Sequence, residues 1–127
     1  HYPAGTILFH EGDHIGHIFI VTSGTVSLEI NGSDHRPRRI QTLGPGELLG
    51  WSPVLGPGPM TAGASAITQV RVVAIDAKVV LKICDDDPRF GFLFMKRAAA
   101  AIAARLNATR LQLLDVYHPE PRLAGVR

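Results

Sequence analysis

The sequence predicts a mainly β domain that ends in one long α-helix. Three observations carry this reading. Residues 4 to 76 are short apolar or alternating runs, broken by glycine roughly every ten residues, as in a β-sandwich or barrel. From Pro88 to Tyr117 the chain holds no further Pro and only one Gly, Gly91. That second stretch is rich in Ala, Leu and Arg, all strong helix formers.

The strands follow in order. Thr6-Ile7-Leu8-Phe9 is the first, closed by Glu11-Gly12-Asp13. Ile18-Phe19-Ile20-Val21 is the second, closed by Ser23-Gly24. Thr25-Val26-Ser27-Leu28-Glu29-Ile30 alternates polar and apolar, the period of a half-buried strand. Asn31-Gly32 then signals a hairpin, because both residues tolerate positive φ. Arg39-Ile40-Gln41-Thr42-Leu43 is its return strand, and Val70-Arg71-Val72-Val73-Ala74-Ile75 reads as a later, more buried one.

Ala77 to Cys84 reads as a short helix. Asp85-Asp86-Asp87-Pro88 opens the long one, with Asp at the cap and Pro in the first turn. A helix from there to Tyr117 is a rod of about 43 Å. Met95, Ala99, Ile102, Leu106, Thr109, Leu113 and Val116 alternate spacings of four and three, an a/d heptad seam. Two readings compete for it: a homodimer seam, or packing on the chain's own β-region. The first is preferred because a second stripe, Phe92, Leu93, Phe94, Ala100, Leu111 and Leu114, is available to face the domain. His118-Pro119-Glu120-Pro121 ends the helix and opens a flexible tail. The expected division is therefore 1–84 for the β-region with its short helix, 85–117 for the long helix, and 118–127 for the tail.

Composition narrows function. A chain of 127 residues suits one domain, and at that size roughly two-thirds of its unfolded surface is buried without a disulfide or metal staple. Cys84 is the sole cysteine, so no intrachain disulfide forms, in keeping with a reducing cytoplasm. The net charge of +2, from 13 basic and 11 acidic residues, is too small to argue nucleic-acid binding. Arg36, Arg38 and Arg39 read as a solvated hairpin tip. No apolar run approaches the ~18 residues of a membrane span, and His1-Tyr2-Pro3 has no signal-peptide character.

The segment from Gly46 to Val70 carries one charged residue, Glu47, and no Lys, Arg or His. Gly46 permits close backbone approach to a ligand, and a short helical turn after it would aim N–H groups at an anion. Metal chemistry of the cupin type needs a His-x-His pair with later Glu and His ligands. His10, His14 and His17 do not supply one, so no metal site and no enzyme is expected. Cys84, beside Val80, Leu81 and Ile83, reads as a buried structural thiol.

The run Ala4-Gly5-Thr6-Ile7-Leu8-Phe9-His10-Glu11-Gly12-Asp13 and the run from Ile18 to Val26 resemble the opening strands of cyclic-nucleotide-binding domains. Pro45-Gly46-Glu47 is similar to the start of that family's phosphate-binding cassette. Ala66-x-Thr68-x-Val70 with Ala74-Ile75-Asp76 is similar to the strands after it, and Arg105-Leu106-Asn107-Ala108-Thr109 to the dimerising helix of catabolite-activator-type (Crp/Fnr) bacterial regulators. The resemblance spans residues 4 to about 117. It implies an eight-stranded jelly roll, a double-stranded β-helix of cupin-like topology, with a short cassette helix and one long dimerisation helix. It also implies a cytoplasmic regulatory domain that needs no cofactor and takes cyclic AMP or cyclic GMP as ligand. A helix-turn-helix normally follows in such regulators. None lies within these residues, so a sensor domain of a longer regulator and a stand-alone homologue both fit, neither touching DNA through this chain.

The resemblance also implies site residues. Gly46, Glu47, Leu48 and Leu49 form the cassette start, with Glu47 accepting from the ribose 2′-hydroxyl. Trp51, the sole Trp, is either a core aromatic or a ring against the ligand base, and Ser52 is a neutral donor. Counting back from Ala66 puts Met60 where the family has its phosphate Arg, followed by Thr61. Thr109 matches a helix threonine that reaches the adenine, and Arg110 stands where some members have a serine contributed across the dimer. Loss of a charge-assisted phosphate bond worth about 1.5–3 kcal/mol implies weak binding or a non-standard ligand. The alternative is a degenerate dimerisation or protein-interaction module.

Overall fold

In a computed structural model, the described residues are 1–32, 34–56 and 58–117, without the side chains of 112–117. The strands are β1 (Ile7–Phe9), β2 (His17–Ser23), β3 (Val26–Asn31), β4 (Pro37–Leu43), β5 (Leu48–Leu49), β6 (Gly63–Ala66) and β7 (Arg71–Asp76). The helices are α1 (Ser52–Leu55), α2 (Ala77–Asp86) and α3 (Pro88–Tyr117). The strands form two antiparallel sheets, one in the order β1-β6-β3-β4 and the other β5-β2-β7. The jelly-roll class expected from the sequence is thus present. Seven strands lie among the described residues where eight were expected, with an isolated bridge between Tyr2 and Val70 besides.

The alternation read in the sequence explains how the sheets meet. Val26 and Leu28 of β3, Ile40 and Leu43 of β4 and Phe9 of β1 point inward against Phe19 and Val21 of β2 and Leu49 of β5. The Phe9 and Phe19 rings stack across the interface at 5.8 Å. Each such side chain contributes roughly 1.5–3 kcal/mol when fully buried. Ser27 is a buried polar residue, and it is satisfied: its hydroxyl donates to Glu29 and accepts from Arg39 Nε, each at 3.0 Å.

Two local expectations are corrected. Asn31 is still in β3, opposite Pro37, so the hairpin connection comes after it. His35, with φ of 62°, takes the left-handed conformation there, and its amide donates to the Gly32 carbonyl. A hydrogen bond from the Gly32 amide to the Arg36 carbonyl moves the turn beyond Asn-Gly. The strand after Val70 is less buried than its apolar run suggested. β7 is the edge of the three-stranded sheet, and Val73 is 49% exposed.

Both helices lie where they were expected, but α2 runs on to Asp86, so Asp85 and Asp86 belong to it and α3 opens only at Asp87-Pro88. The Asp76 side chain accepts from the Lys78 amide at 2.7 Å to cap α2, and Asp87 accepts from the Phe90 amide at 3.2 Å to cap α3. Gly91 is where the two helices touch. A Cβ there would lie 2.9 Å from the Cys84 carbonyl oxygen, so only glycine allows this approach. Cys84 sits in that contact, and burial, then Asp85, raises its thiol pKa. The assignment of the α3 stripes is also corrected. Gly91, Phe94, Met95 and Ala98 face the domain, whereas Phe92 (66% exposed), Leu93 and Leu111 face outward. The 118–127 tail lies outside the described residues.

Gly24 is the tightest turn, with φ of 89° and a would-be Cβ that collides with the Gln69 carbonyl. Gly12 has a similar φ of 94° but open space around it. We therefore expect Gly24→Ala to cost about 3 kcal/mol or more, and Gly12→Ala about 1 kcal/mol, as read from urea unfolding midpoints. Equal losses would show that the Gln69 contact is not restrictive.

Candidate ligand site between the cassette and the long helix

The Gly46-Glu47 segment is anchored on β2. The Gly46 amide donates to the Val21 carbonyl at 2.8 Å, and the Val21 amide donates to the Glu47 carbonyl at 3.0 Å. Glu47 also closes its own turn: its amide donates to the Gly44 carbonyl, and its Oε1 accepts from the Gly44 amide at 2.8 Å. Gly46, at φ of 87°, lets the chain turn between them. The carboxylate is exposed and fixed through one oxygen, while Oε2 takes no hydrogen bond from the described residues.

β5 follows this turn, so the helical turn expected directly after Gly46 begins only at Ser52, as α1. Trp51 caps α1 without a side-chain bond and is 6% exposed. Its ring packs on Phe94 of α3 at 5.3 Å, tilted by 58°. This contact ties the cassette to the long helix.

A cavity of about 190 Å³ lies between the two. One wall is Gly46, Glu47, Leu48, Leu49, Gly50 and Trp51, and the sheet adds Leu28, Gln41 and Leu43. The opposite wall is α3, through Arg97, Ala101, Ile102, Ala104 and Arg105. A second concavity of about 340 Å³ is lined by Ser52, Leu55, Gly56, Gly58, Pro59 and Thr61, and shares Ile102 and Arg105 with the first. The first is smaller than the roughly 300–1,000 Å³ of ordinary small-molecule pockets. The shared pair is the partition between them.

The expected site residues thus divide. Gly46, Glu47, Leu48, Leu49 and Trp51 converge on the first cavity, and Ser52 and Thr61 on the second. Met60 lines neither. It is 3% exposed in the inter-sheet core, its carbonyl bonded by the Gly12 amide and its amide donating to Asp13. The long Gly/Pro loop, which blurs the count back from Ala66, accounts for that displacement. Thr109 and Arg110 also line neither cavity. The Thr109 hydroxyl donates to the Arg105 carbonyl one turn back at 2.8 Å, and Arg110 donates to Asn107.

Sequence reasoning missed Arg97 and Arg105. Among the described residues neither forms an ion pair. Burial lowers the pKa of the half-buried Arg105 from its ordinary value, although a guanidinium stays protonated at neutral pH. Of the expected seam, Ile102 belongs to the cavity wall and Met95 to the α2–α3 core, while Ala99 and Leu106 are exposed. The side chains of Leu113 and Val116 lie outside the described residues. No group of three or more His, Cys, Asp or Glu among the described residues is placed to hold a metal ion.

An antiparallel jelly roll with a Gly-Glu turn facing a long terminal helix defines a class of ligand-sensing domains. The chain belongs to the cyclic nucleotide-binding domain family, whose model matches residues 1–87. It is 29% identical over 115 residues to a CRP-like cAMP-activated global transcriptional regulator of Mycobacterium tuberculosis, covering 91% of this chain and 50% of the relative. It is 31% identical over 112 residues to the cyclic AMP receptor protein of Thermus thermophilus, covering 88% and 50%. The crystal structure of the Thermus thermophilus catabolite activator protein superposes with a TM-score of 0.72 at 30% identity, covering 88% of this chain and 51% of that one. The chain therefore spans about half the length of these curated relatives. Arg97 and Arg105 lie beyond the residues that the family model matches.

Met60 in the core changes what a substitution there would do. Met60→Arg would bury an unpaired guanidinium and remove an apolar side chain. We expect it to destabilise the domain by about 3–5 kcal/mol in chemical denaturation, with no gain in nucleotide affinity. A stable variant that binds cyclic AMP tightly would place Met60 at the site after all.

Proposed function

We propose that this chain is the sensor domain of a Crp-type regulator that binds a cyclic nucleotide, or a related anionic small ligand, between the Glu47 turn and α3. One observation carries the reading. The Glu47 carboxylate is fixed by the Gly44 amide through Oε1, keeps Oε2 unbonded among the described residues, and borders a cavity whose far wall is the long helix. A carboxylate so held is suited to accept from a sugar hydroxyl. The names of the relatives point to cyclic AMP, and cyclic GMP is the second candidate. No enzymatic role is proposed, and a cytoplasmic setting is the one that fits a lone thiol and helices none of which, among the described residues, is long and apolar enough to cross a membrane.

Binding would be weak by the standards of a cassette that contains an arginine. Losing a bond of about 1.5–3 kcal/mol corresponds to roughly 10- to 150-fold in affinity. Occupancy would be passed on through α3, because ligand contacts on that helix favour one of its arrangements over another. The outward α3 residues support a second reading that is compatible with the first. Phe92, Leu93, Leu106 and Leu111 are each more than half exposed. With Ala99 and Ala103 nearby, that face suits a second copy of the chain. The Mycobacterium tuberculosis relative is named as a transcriptional regulator, so the whole protein is proposed to act on DNA through a part other than this chain.

Calorimetry with cyclic AMP and cyclic GMP tests the sensor reading. We expect saturable binding of at least one, weakened roughly tenfold or more in Glu47→Ala, the cost of one hydrogen bond to a charged group. Binding that ignores Glu47→Ala would remove it, as would none at millimolar ligand. Light scattering after size exclusion tests the helix face. We expect a dimer that Leu106→Glu turns into a folded monomer, whereas a wild-type chain that stays monomeric at high concentration would remove the dimer.

A further inference from the structure

The cassette buries one aromatic donor without giving it an acceptor. Trp51 is 6% exposed, yet it belongs neither to the inter-sheet core nor to the core around Ile18, Val54, Ala77 and Val80. Its ring leans on Phe94, and its carbonyl accepts from the Val54 and Leu55 amides. Its indole Nε1–H donates to no group among the described residues. A buried indole N–H ordinarily finds a partner, because losing its water without a replacement bond is unfavourable. Trp51 borders the cavity of about 190 Å³, so an acceptor can reach it from there.

The side chains of the cassette wall have a direction. The Glu47 carboxylate, near its start, only accepts. Leu48, Leu49 and Gly50 carry no polar side chain. Trp51, at its end, only donates. Ser52 follows with a hydroxyl in the neighbouring concavity. A ligand laid along this wall meets an acceptor at one end and a donor at the other. A sugar hydroxyl suits the first. An anionic oxygen, the strongest acceptor that a nucleotide carries, suits the second, since residues 46–70 offer it no Lys, Arg or His.

We propose that the indole N–H of Trp51 is the donor with which the cassette holds a phosphate oxygen of the ligand. This rests on the sensor reading above and adds to it the atom of the β-domain that receives the anion. The choice of an indole has a physical reason. A neutral donor can stay buried when the cavity is empty, whereas an unpaired guanidinium at the same depth would have to be neutralised. The ring also keeps its place without the ligand, because Phe94 supports it.

The test compares cyclic AMP with adenosine, which keeps the base and the ribose hydroxyls and lacks the phosphate. Trp51 is the sole Trp, so its indole proton gives one signal in a nitrogen–proton correlation spectrum of the wild type. That signal should move downfield with cyclic AMP and by much less with adenosine. By calorimetry, cyclic AMP should bind the wild type more tightly than adenosine does. Trp51→Phe keeps a ring against Phe94 and removes the donor. It should lower cyclic AMP affinity roughly 10- to 150-fold, the cost of one hydrogen bond to a charged group, and leave adenosine unchanged. Glu47→Ala should weaken both ligands. The spectrum needs no variant, so it decides the question even if Trp51→Phe fails to fold. If cyclic AMP keeps its advantage in a folded Trp51→Phe, or the indole signal responds alike to both ligands, the proposal is overturned while the sensor reading stands. If neither ligand binds the wild type, both fall.

Discussion

The close approach of α2 and α3 at Gly91 is the constraint from which the site follows. Without a Cβ at that position, α3 lies directly on the Cys84 carbonyl, and its first turns pack on Val80 and Ala77 through Phe94 and Met95. Phe94 is thereby placed on Trp51, the residue that ends the cassette strand and caps α1. The direction of the next three turns is then settled. They run past β4 and bring Ala101, Ile102 and Arg105 opposite Glu47. A bulkier residue at 91 would tilt the rod and open or close the cavity two turns away, because a helix transmits a displacement at one end along its length.

The opposite wall is rigid for a different reason. The Gly44–Glu47 turn is locked to Val21 by a reciprocal pair of backbone bonds, and Val21 has no exposed surface in the inter-sheet core. Glu47 therefore rides on the best-packed part of the molecule, while Arg105 rides on a helix held at one end. A site with one fixed wall and one wall carried by a long lever is suited to sensing, because ligand contacts with the lever bias its position.

The polar cluster on the outer face of the larger sheet illustrates how the fold satisfies what it buries. Ser27, Ser65 and Arg39 converge on Glu29 or on one another, so the fully buried hydroxyl of Ser27 has both donor and acceptor roles filled. Both serine hydroxyls donate to the same Glu29 oxygen, Oε2, on the sheet, whereas the Glu47 carboxylate is held by a backbone amide, that of Gly44, at the cavity.

Much of the fold is legible in the residue order, for stated physical reasons. The period-2 run at Val26 to Ile30 and the Asp87-Pro88 start of α3 each act through neighbouring residues, and each holds in three dimensions. The Gly46-Glu47 turn is of the same kind, since its closing bonds to Gly44 span three residues or fewer. Other features depended on contacts between distant segments. The Val70–Ile75 run reads as core by composition, yet its exposure follows from its place at a sheet edge. Met60 lies at the end of a Gly/Pro loop whose length decouples it from the strand used to count back, and only the packing of the two sheets put it inside. Helical periodicity fixes the angles between side chains around the α3 axis, but it leaves open which face meets the domain. That choice was made by Gly91 against Cys84 and Phe94 against Trp51. With it came the two arginines of the cavity, which no local pattern in the sequence could assign to a wall facing Glu47.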